Sequence, residues 1–399
     1  MLKKIIYPFM SILFLALGII CIRFEKQGNK IVEKKAAYVN AVDLNLNCGA
    51  SYLMEESTGK VLYAQNETEK LKPASMTKMM GLLLTCEKID KKQIQLEDIV
   101  TVSENAAAMG GSQVFLEVNE QISVHDLLKS VCISSANDSM YALGEFIAST
   151  NENFVEMMNQ KAKDLKLENT HFANVTGFDD DNHYTCAKDM AIIGQNLLKY
   201  KEIILPYTSM YEGYIRENTD NPFWLVNTNK LIRFYEGMDG LKTGFTSQSG
   251  FCLTATAKRN NIRLISVIMK ADSSANRNEM TKTLLDYGFS KVKAQEIYKA
   301  NEKVATIKIK KAKQPKVDVY TPKDISVIID KAQENVKIDK KIKLKDNLKA
   351  PLKKDSIIGK LIITLNDNEV YMFDLIVKDK VELLTFKELF KEFFKEVLA

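Results

Sequence analysis

Three strand-like runs follow one another in the second half of the chain: GMDGLKTG, SGFCLTATAKRN and IRLISVIMKA, between residues 237 and 271. The gaps between them are short enough for adjacent antiparallel strands. GYIRE and PFWLVN, just ahead, have the same character. Far upstream, GASYLMEESTGKVLYAQ holds two more β-prone runs around the turn cluster Glu56-Ser57-Thr58-Gly59, and reads as a hairpin. Everything between has apolar residues at helical spacing: SMTKMMGLLLTCEKID, SVHDLLKSVCISSANDSMYALGEFIA, NENFVEMMNQKAKDLKL and CAKDMAIIGQNLLKY. A last helical stretch, NEMTKTLLDYGFSKV, closes the region. The order hairpin, helices, strands, helix fits an α+β domain over residues 42–293, with one antiparallel sheet drawing strands from both ends and helices packed on it.

Beyond Ala294 the pattern changes. VATIKIKKAKQPKVDVYTPKDISVIID and IIGKLIITLNDNEVYMFDLIV alternate with period two and are rich in lysine, which predicts a small all-β domain over 294–380. The final segment, within 381–399, is LTFKELFKEFFKEVLA. Phe386, Leu389, Phe390, Phe393, Phe394, Val397 and Leu398 share one face and Lys/Glu fill the other, an amphipathic helix suited to packing on protein or to lying in a membrane interface. At the other end, residues 1–41, Lys3 and Lys4 precede an apolar run from Ile5 to about Ile22, the layout of a secretory signal and nearly long enough for a membrane anchor. Val39-Asn40-Ala41 is a possible cleavage site but lies far downstream, so cleaved signal and retained anchor both stay open. Cys21 does not fit lipid attachment, because Ile20 stands where a small residue is wanted. Either way the body of the protein is expected to be exported.

With 399 residues, two to three domains are expected. The formal charge of +5 suits a surface that tolerates phospholipid or acidic wall polymers; a concentrated basic motif with stacking aromatics, as a nucleic-acid binder needs, is missing. The six cysteines show no CxxC pair and mostly sit in apolar contexts, so they read as small buried hydrophobes. His125, His171 and His183 are widely separated, which speaks against a zinc site; His183 is expected to order the loop NHYTCAKD. Asp179, Asp180 and Asp181 read as a solvated acidic turn, and no metal or organic cofactor is expected.

The chemistry is carried by three separated elements. In PASMTKMM, Ser75 and Lys78 stand three apart at a helix start, so hydroxyl and amine share a face. A lysine buried among Met and Leu loses basicity and can take the serine's proton. SxxK alone recurs often by chance. Here it is followed by Ser135-Ala136-Asn137, between two helical halves, and by Lys242-Thr243-Gly244 on a strand-like run. SxxK, an S-D-N element and K-T-G in this order are the signature of class A β-lactamases and penicillin-binding proteins; here the middle element is Ser135-Ala136-Asn137, which keeps the serine and asparagine.

On these motifs, with the SSANDS stretch, HFANVTGFDDDNHYTCAKDMAIIG and DGLKTGFTSQSGFCLTATA, the sequence over roughly 45–380 resembles the serine-type D-alanyl-D-alanine carboxypeptidases, the low-molecular-mass penicillin-binding proteins. The resemblance implies a β-lactamase/transpeptidase-like domain followed by the family's small β domain and terminal helix. It implies Ser75 as acylated nucleophile, Lys78 as proton acceptor, Ser135 as proton relay and Asn137 as holder of the substrate amide or the Lys78 amine. Lys242, Thr243 and, less directly, Arg277 would bind the substrate carboxylate; Gly244 would admit the substrate backbone; the N–H groups of Ser75 and Phe245 would form the oxyanion hole. The implied substrate is a peptidoglycan stem peptide ending in D-Ala-D-Ala, with β-lactams as covalent inhibitors, at the outer face of the cytoplasmic membrane or the cell wall. Phe245 stands where some relatives have histidine, and Val118-Asn119 where a proline-glycine turn is common. A β-lactamase, a DD-endopeptidase and a non-catalytic wall-binding protein are the competing readings; the long β domain and the intact motifs disfavour the first and the last.

Overall fold

The structure is a computed structural model that describes residues 42–390 except 334, 368 and 389. The N-terminal signal or anchor and residues 391–399 of the terminal helix fall outside the described residues.

The hairpin forms as read: β1 (Ala50–Glu55) pairs antiparallel with β2 (Val61–Gln65), and the buried Glu55 carboxylate accepts hydrogen bonds from the N–H and hydroxyl groups of Ser57 and Thr58 in the turn. Two short strands, β3 (Ile99–Thr101) and β4 (Gln121–Ser123), pair away from the main sheet. So do β5 (Glu212–Ile215) and β6 (Phe223–Val226), which form a hairpin of their own instead of joining the later strands. Ile215 and Leu225 are buried on its inner face while Tyr214 and Trp224, opposite each other, stay exposed: a one-sided ribbon has no second apolar face to offer a central sheet.

The central sheet adds β7 (Met238–Thr246), β8 (Gly250–Arg259) and β9 (Ile262–Ala271) to the first hairpin in the order β2-β1-β9-β8-β7, antiparallel throughout. Strands from both ends of the domain meet at the β1–β9 seam, where Tyr52 faces Val267. β9 is buried on both faces, which explains its continuous apolar run.

One face is covered by the helices of the middle segment: α1 (Lys78–Asp90), α2 (Val124–Ile133), α3 (Asn137–Ala148), α4 (Asn151–Asp164), α5 (Ala187–Leu197) and α6 (Lys201–Thr208). Met76, Met79, Met80 and Leu83 pack in one core with Ile265, Val267 and Met269. Every residue from Lys78 to Cys86 is buried, so α1 is a central helix and not a surface one. Ser123 and Thr150 cap α2 and α4 with side-chain oxygens. The other face is covered by α7 (Ser274–Lys291), whose Leu284 and Leu285 pack with Leu53, Leu253 and Leu264.

Helix α7 runs straight into the lysine-rich region. There β10 (Val292–Tyr298) pairs with β13 (Ile325–Asp330), and β11 (Lys303–Lys308), β12 (Lys316–Tyr320), β14 (Ile338–Leu344), β15 (Ile357–Leu365) and β16 (Glu369–Ile376) form a sheet in the order β11-β12-β16-β15-β14. Val319, Val327, Ile358, Leu361 and Ile363 make its core, and the alternating lysines stay outside as solvated faces. Residues 386–388 and 390 are helical, with Phe386 84% exposed. Among the described residues no helix is long and apolar enough to cross a membrane. Cys86, Cys132, Cys186 and Cys252 are buried free thiols, pushed up in pKa by that burial.

Candidate active site

The three motifs converge although they lie far apart in sequence. Pro73 starts a 3-10 turn, Ala74–Thr77, that leads into α1 and presents Ser75 half-buried at its end. Lys78, the first residue of α1, is fully buried. Its Nζ lies 2.7 Å from Ser75 Oγ, 2.7 Å from Asn137 Oδ1 and 3.0 Å from the Thr176 carbonyl oxygen.

Asn137 opens α3. Its orientation is fixed, because its Nδ2 donates to the Gly110 carbonyl at 2.6 Å and leaves Oδ1 for Lys78. Ser135, two residues earlier, takes a left-handed backbone (φ 66°) that breaks the polypeptide between α2 and α3 and turns its hydroxyl into the cleft. Lys242 Nζ donates to that hydroxyl at 2.7 Å and to the Thr243 carbonyl at 3.1 Å. The Thr243 hydroxyl donates to Thr228 Oγ1 at 2.7 Å.

Lys242, Thr243 and Gly244 lie on β7, the edge strand of the sheet, so one side of its backbone is not used by a neighbouring strand of that sheet. A Cβ on Gly244 would stand 2.6 Å from the Pro73 carbonyl, so only glycine lets β7 come this close to the serine turn. Phe245 follows, 56% exposed and packed on Phe251 with ring centroids 4.3 Å apart.

Electrostatics give the two lysines different states. Burial drives the Lys78 pKa well below the ordinary lysine value, and the neighbouring Lys242 cation drives it further. Burial brings Lys242 down to about 7, and Arg277 adds to the fall. Both effects work against the Lys78 cation. As a neutral amine it has two N–H bonds and one lone pair. Asn137 Oδ1 and the Thr176 carbonyl can only accept, so they take the two N–H bonds and the lone pair is left facing the Ser75 hydroxyl.

Residues 35–273 match the D-alanyl-D-alanine carboxypeptidase family, peptidase S11, and residues 293–383 match the C-terminal domain of penicillin-binding protein 5. The chain belongs to the D-alanyl-D-alanine carboxypeptidase family. It is 47% identical to the carboxypeptidase DacF of Bacillus subtilis over 321 residues, 80% of this chain and 82% of that one. Among solved structures, penicillin-binding protein 5 of Haemophilus influenzae aligns with a TM-score of 0.65 at 32% identity, covering 86% of this chain and 99% of the other. Penicillin-binding protein D2 of Listeria monocytogenes, solved in its ampicillin-bound form, aligns with a TM-score of 0.56 at 28% identity over 62% of this chain and all of the other. The protein is thus a D-Ala-D-Ala carboxypeptidase of the penicillin-binding protein family, an α+β transpeptidase-like domain joined to a small all-β domain.

In this carboxypeptidase the sequence-derived residues Ser75, Lys78 and Asn137 form one bonded cluster, and Ser135 and Lys242 a second, with Thr243 beside it. Arg277 is not bonded to either. It is 5% exposed on the first turn of α7, donates to Asn278 Oδ1, and has no ion-pair partner among the described residues; burial lowers it to about 10. The motifs did not reveal Thr176, whose backbone carbonyl lies 3.0 Å from Lys78 Nζ and leaves no side-chain signature. Nor did they reveal Gly110 or Thr228. Gly177 carried a weak signal as a loop glycine. Its role is sharper than a turn: φ is +92°, and a Cβ there would stand 1.9 Å from the Ala74 carbonyl oxygen. The acidic turn is only partly solvated, since Asp179 accepts a hydrogen bond from Thr246 at the end of β7 at 2.9 Å. His183 reaches beyond its own loop, to Thr77.

Proposed function

We propose that Ser75 is acylated by the substrate with Lys78 as the base. The observation that supports this best is the Lys78 Nζ 2.7 Å from Ser75 Oγ, held by two acceptors, Asn137 Oδ1 and the Thr176 carbonyl, in a burial that lowers its basicity. Ser75 gives its proton to Lys78 Nζ as Oγ bonds to the carbonyl carbon of the penultimate D-Ala. The carbonyl oxygen becomes an oxyanion held by the N–H groups of Ser75 and Phe245. The C–N bond then breaks and the terminal D-Ala leaves as an amine, taking a proton from the Ser135 hydroxyl, which Lys78 resupplies with the proton it took from Ser75. Water hydrolyses the ester and restores Ser75. The substrate lies along the free edge of β7 as an added strand. Its terminal carboxylate meets charged Lys242, Thr243 and Arg277, and Gly244 gives it room. A stem pentapeptide of peptidoglycan supplies this terminus, and a β-lactam acylates the same hydroxyl.

The domain limits follow 42–293 and 294–380. The protein works outside the cytoplasm, at the outer face of the cytoplasmic membrane or in the wall, directed there by the N-terminal segment. The phenylalanine face of residues 381–399 lies on the membrane surface, a reading favoured by the exposure of Phe386 and Phe390.

The test is D-Ala release from a stem pentapeptide, with mass spectrometry of the penicillin-treated protein. The expected result is release by the wild type, none by Ser75→Ala, and one adduct on the Ser75 peptide. Release by Ser75→Ala at the wild-type rate refutes the mechanism.

A further inference from the structure

The loop from Ala173 to His183 supplies the Thr176 carbonyl that engages Lys78. Thr176 is held by its own N–H and hydroxyl, both donating to Asn174 Oδ1. The loop is anchored at its start by Asn174, whose Oδ1 accepts from the N–H groups of Thr176, Gly177 and Phe178. Its end is anchored by His183, which is 2% exposed.

The tautomer of His183 follows from its neighbours. The Ala173 N–H, an obligate donor, points at Nδ1 at 3.1 Å, so Nδ1 carries the lone pair and the ring proton sits on Nε2. Nε2 lies 2.7 Å from Thr77 Oγ1, so Nε2–H donates to Thr77. Burial holds the ring neutral, with a pKa near 4 despite the nearby Asp180. Thr77 is itself fully buried and stands between Ser75 and Lys78. One imidazole thus joins both arms of the loop to the turn that carries the nucleophile and the base.

We propose that His183 is a positioning residue for acylation: through Nε2–H and Thr77 it locks the serine turn to the 173–183 loop, and so keeps the Thr176 carbonyl on Lys78. The proposal rests on the assignment of Lys78 as base. It separates two roles of one ring, because the nitrogens face different elements. A glutamine at 183 places an amide N–H near the position of Nε2 and keeps the Thr77 bond while losing the acceptor for Ala173. An asparagine places its amide oxygen near Nδ1 and keeps the Ala173 bond while losing Thr77. Thr77→Ser keeps the acceptor for Nε2–H, and Thr77→Val removes it without altering the ring.

The experiment measures kcat and KM for D-Ala release, the second-order rate of acylation by a fluorescent penicillin, and Tm, on the full chain. The expected result is a fall of at least tenfold in kcat and in acylation rate for His183→Asn and Thr77→Val with KM little changed, while His183→Gln and Thr77→Ser stay within about threefold of the wild type, as retention of one directional hydrogen bond requires. The proposal is overturned if His183→Asn and Thr77→Val acylate like the wild type. It is equally overturned if activity follows Tm across all four variants, since a purely structural clamp behaves that way. Lys78→Met, assayed beside them, isolates the underlying assignment: wild-type acylation by that variant removes the base, whatever the His183 series shows.

Discussion

Gly177→Ala is the sharpest perturbation of the site, because the residue touches it with backbone alone. Its ideal Cβ stands 1.9 Å from the Ala74 carbonyl oxygen, 2.3 Å from that carbonyl carbon and 2.9 Å from the Ser75 nitrogen. All three are main-chain atoms, so no rotamer change relieves the contact. To regain ordinary contact the loop must retreat by roughly 1.5 Å. The positive φ of +92° adds strain for any L side chain, of the order of 1–2 kcal/mol. Thr176 is the adjacent residue, so its carbonyl retreats from Lys78 with the loop. A displacement of about 1 Å in a catalytic array costs about a hundredfold in rate, or about 2.7 kcal/mol of barrier. Gly177→Ala is therefore expected to slow acylation by fluorescent penicillin about a hundredfold, while a loop strain of this size lowers Tm by only about 2–8 °C. Gly110→Ala is the control: a Cβ there meets nothing within 4 Å. Stopped-flow acylation and a thermal melt on the three proteins decide the matter. A folded Gly177→Ala enzyme that acylates at the wild-type rate, or an equal loss in Gly110→Ala, refutes the claim that close approach at residue 177 sets the base.

The remaining predictions concern charge and location. Lys78 acts when neutral and its pKa is depressed, so kcat/KM falls as pH drops through that lowered value; Lys242 acts when charged, so kcat/KM also falls as pH rises through about 7. In the substrate complex the bound carboxylate favours the Lys242 cation, so the alkaline limb of kcat lies higher than that of kcat/KM, and a pH profile with one limb only contradicts the assignment. In protein lacking residues 1–41, removal of residues 385–399 is expected to abolish co-sedimentation with vesicles containing anionic phospholipid while leaving D-Ala release from a soluble pentapeptide unchanged; retained binding by that protein excludes the terminal phenylalanine face as the membrane contact.

What the sequence disclosed depended on whether a role belongs to a side chain or to the backbone. Ser75, Lys78, Ser135, Asn137 and Lys242 stand in spaced motifs, and the structure joins their side chains by hydrogen bonds. The sheet was equally legible, because β7, β8 and β9 announce themselves as apolar runs with short gaps, and the far hairpin has no other sheet to join. The sequence left the sheet of the β5–β6 ribbon open, because propensity states that a segment is extended, not which edge it pairs with. Thr176 and Gly110 stayed hidden because their carbonyl oxygens could belong to any residue type. His183 was visible as a histidine, but its bond to Thr77 spans 106 positions and exists only once the loop closes over the serine turn.

The two buried lysines explain why the three motifs must meet in one place. Taken alone, each would be pushed toward neutrality by burial, and a cleft with two neutral amines would hold a base but no cation for a carboxylate. A cleft with both charged would hold the cation but no base. Their proximity resolves the conflict, since the Lys242 charge opposes a second charge at Lys78. Lys242, brought down to about 7, donates to the Ser135 hydroxyl and the Thr243 carbonyl, neither of which needs to receive a proton from it. Lys78, with two N–H bonds taken by Asn137 and Thr176, has its remaining valence directed at Ser75. The S-x-N element stands between the two: Ser135 on the Lys242 side and Asn137 on the Lys78 side, separated by the left-handed turn at Ser135 that lets consecutive helices face both amines. On the proposed mechanism, proton acceptance and anion binding use the same residue type in one cleft, and the hydrogen-bond partners, not the side chains themselves, divide the labour.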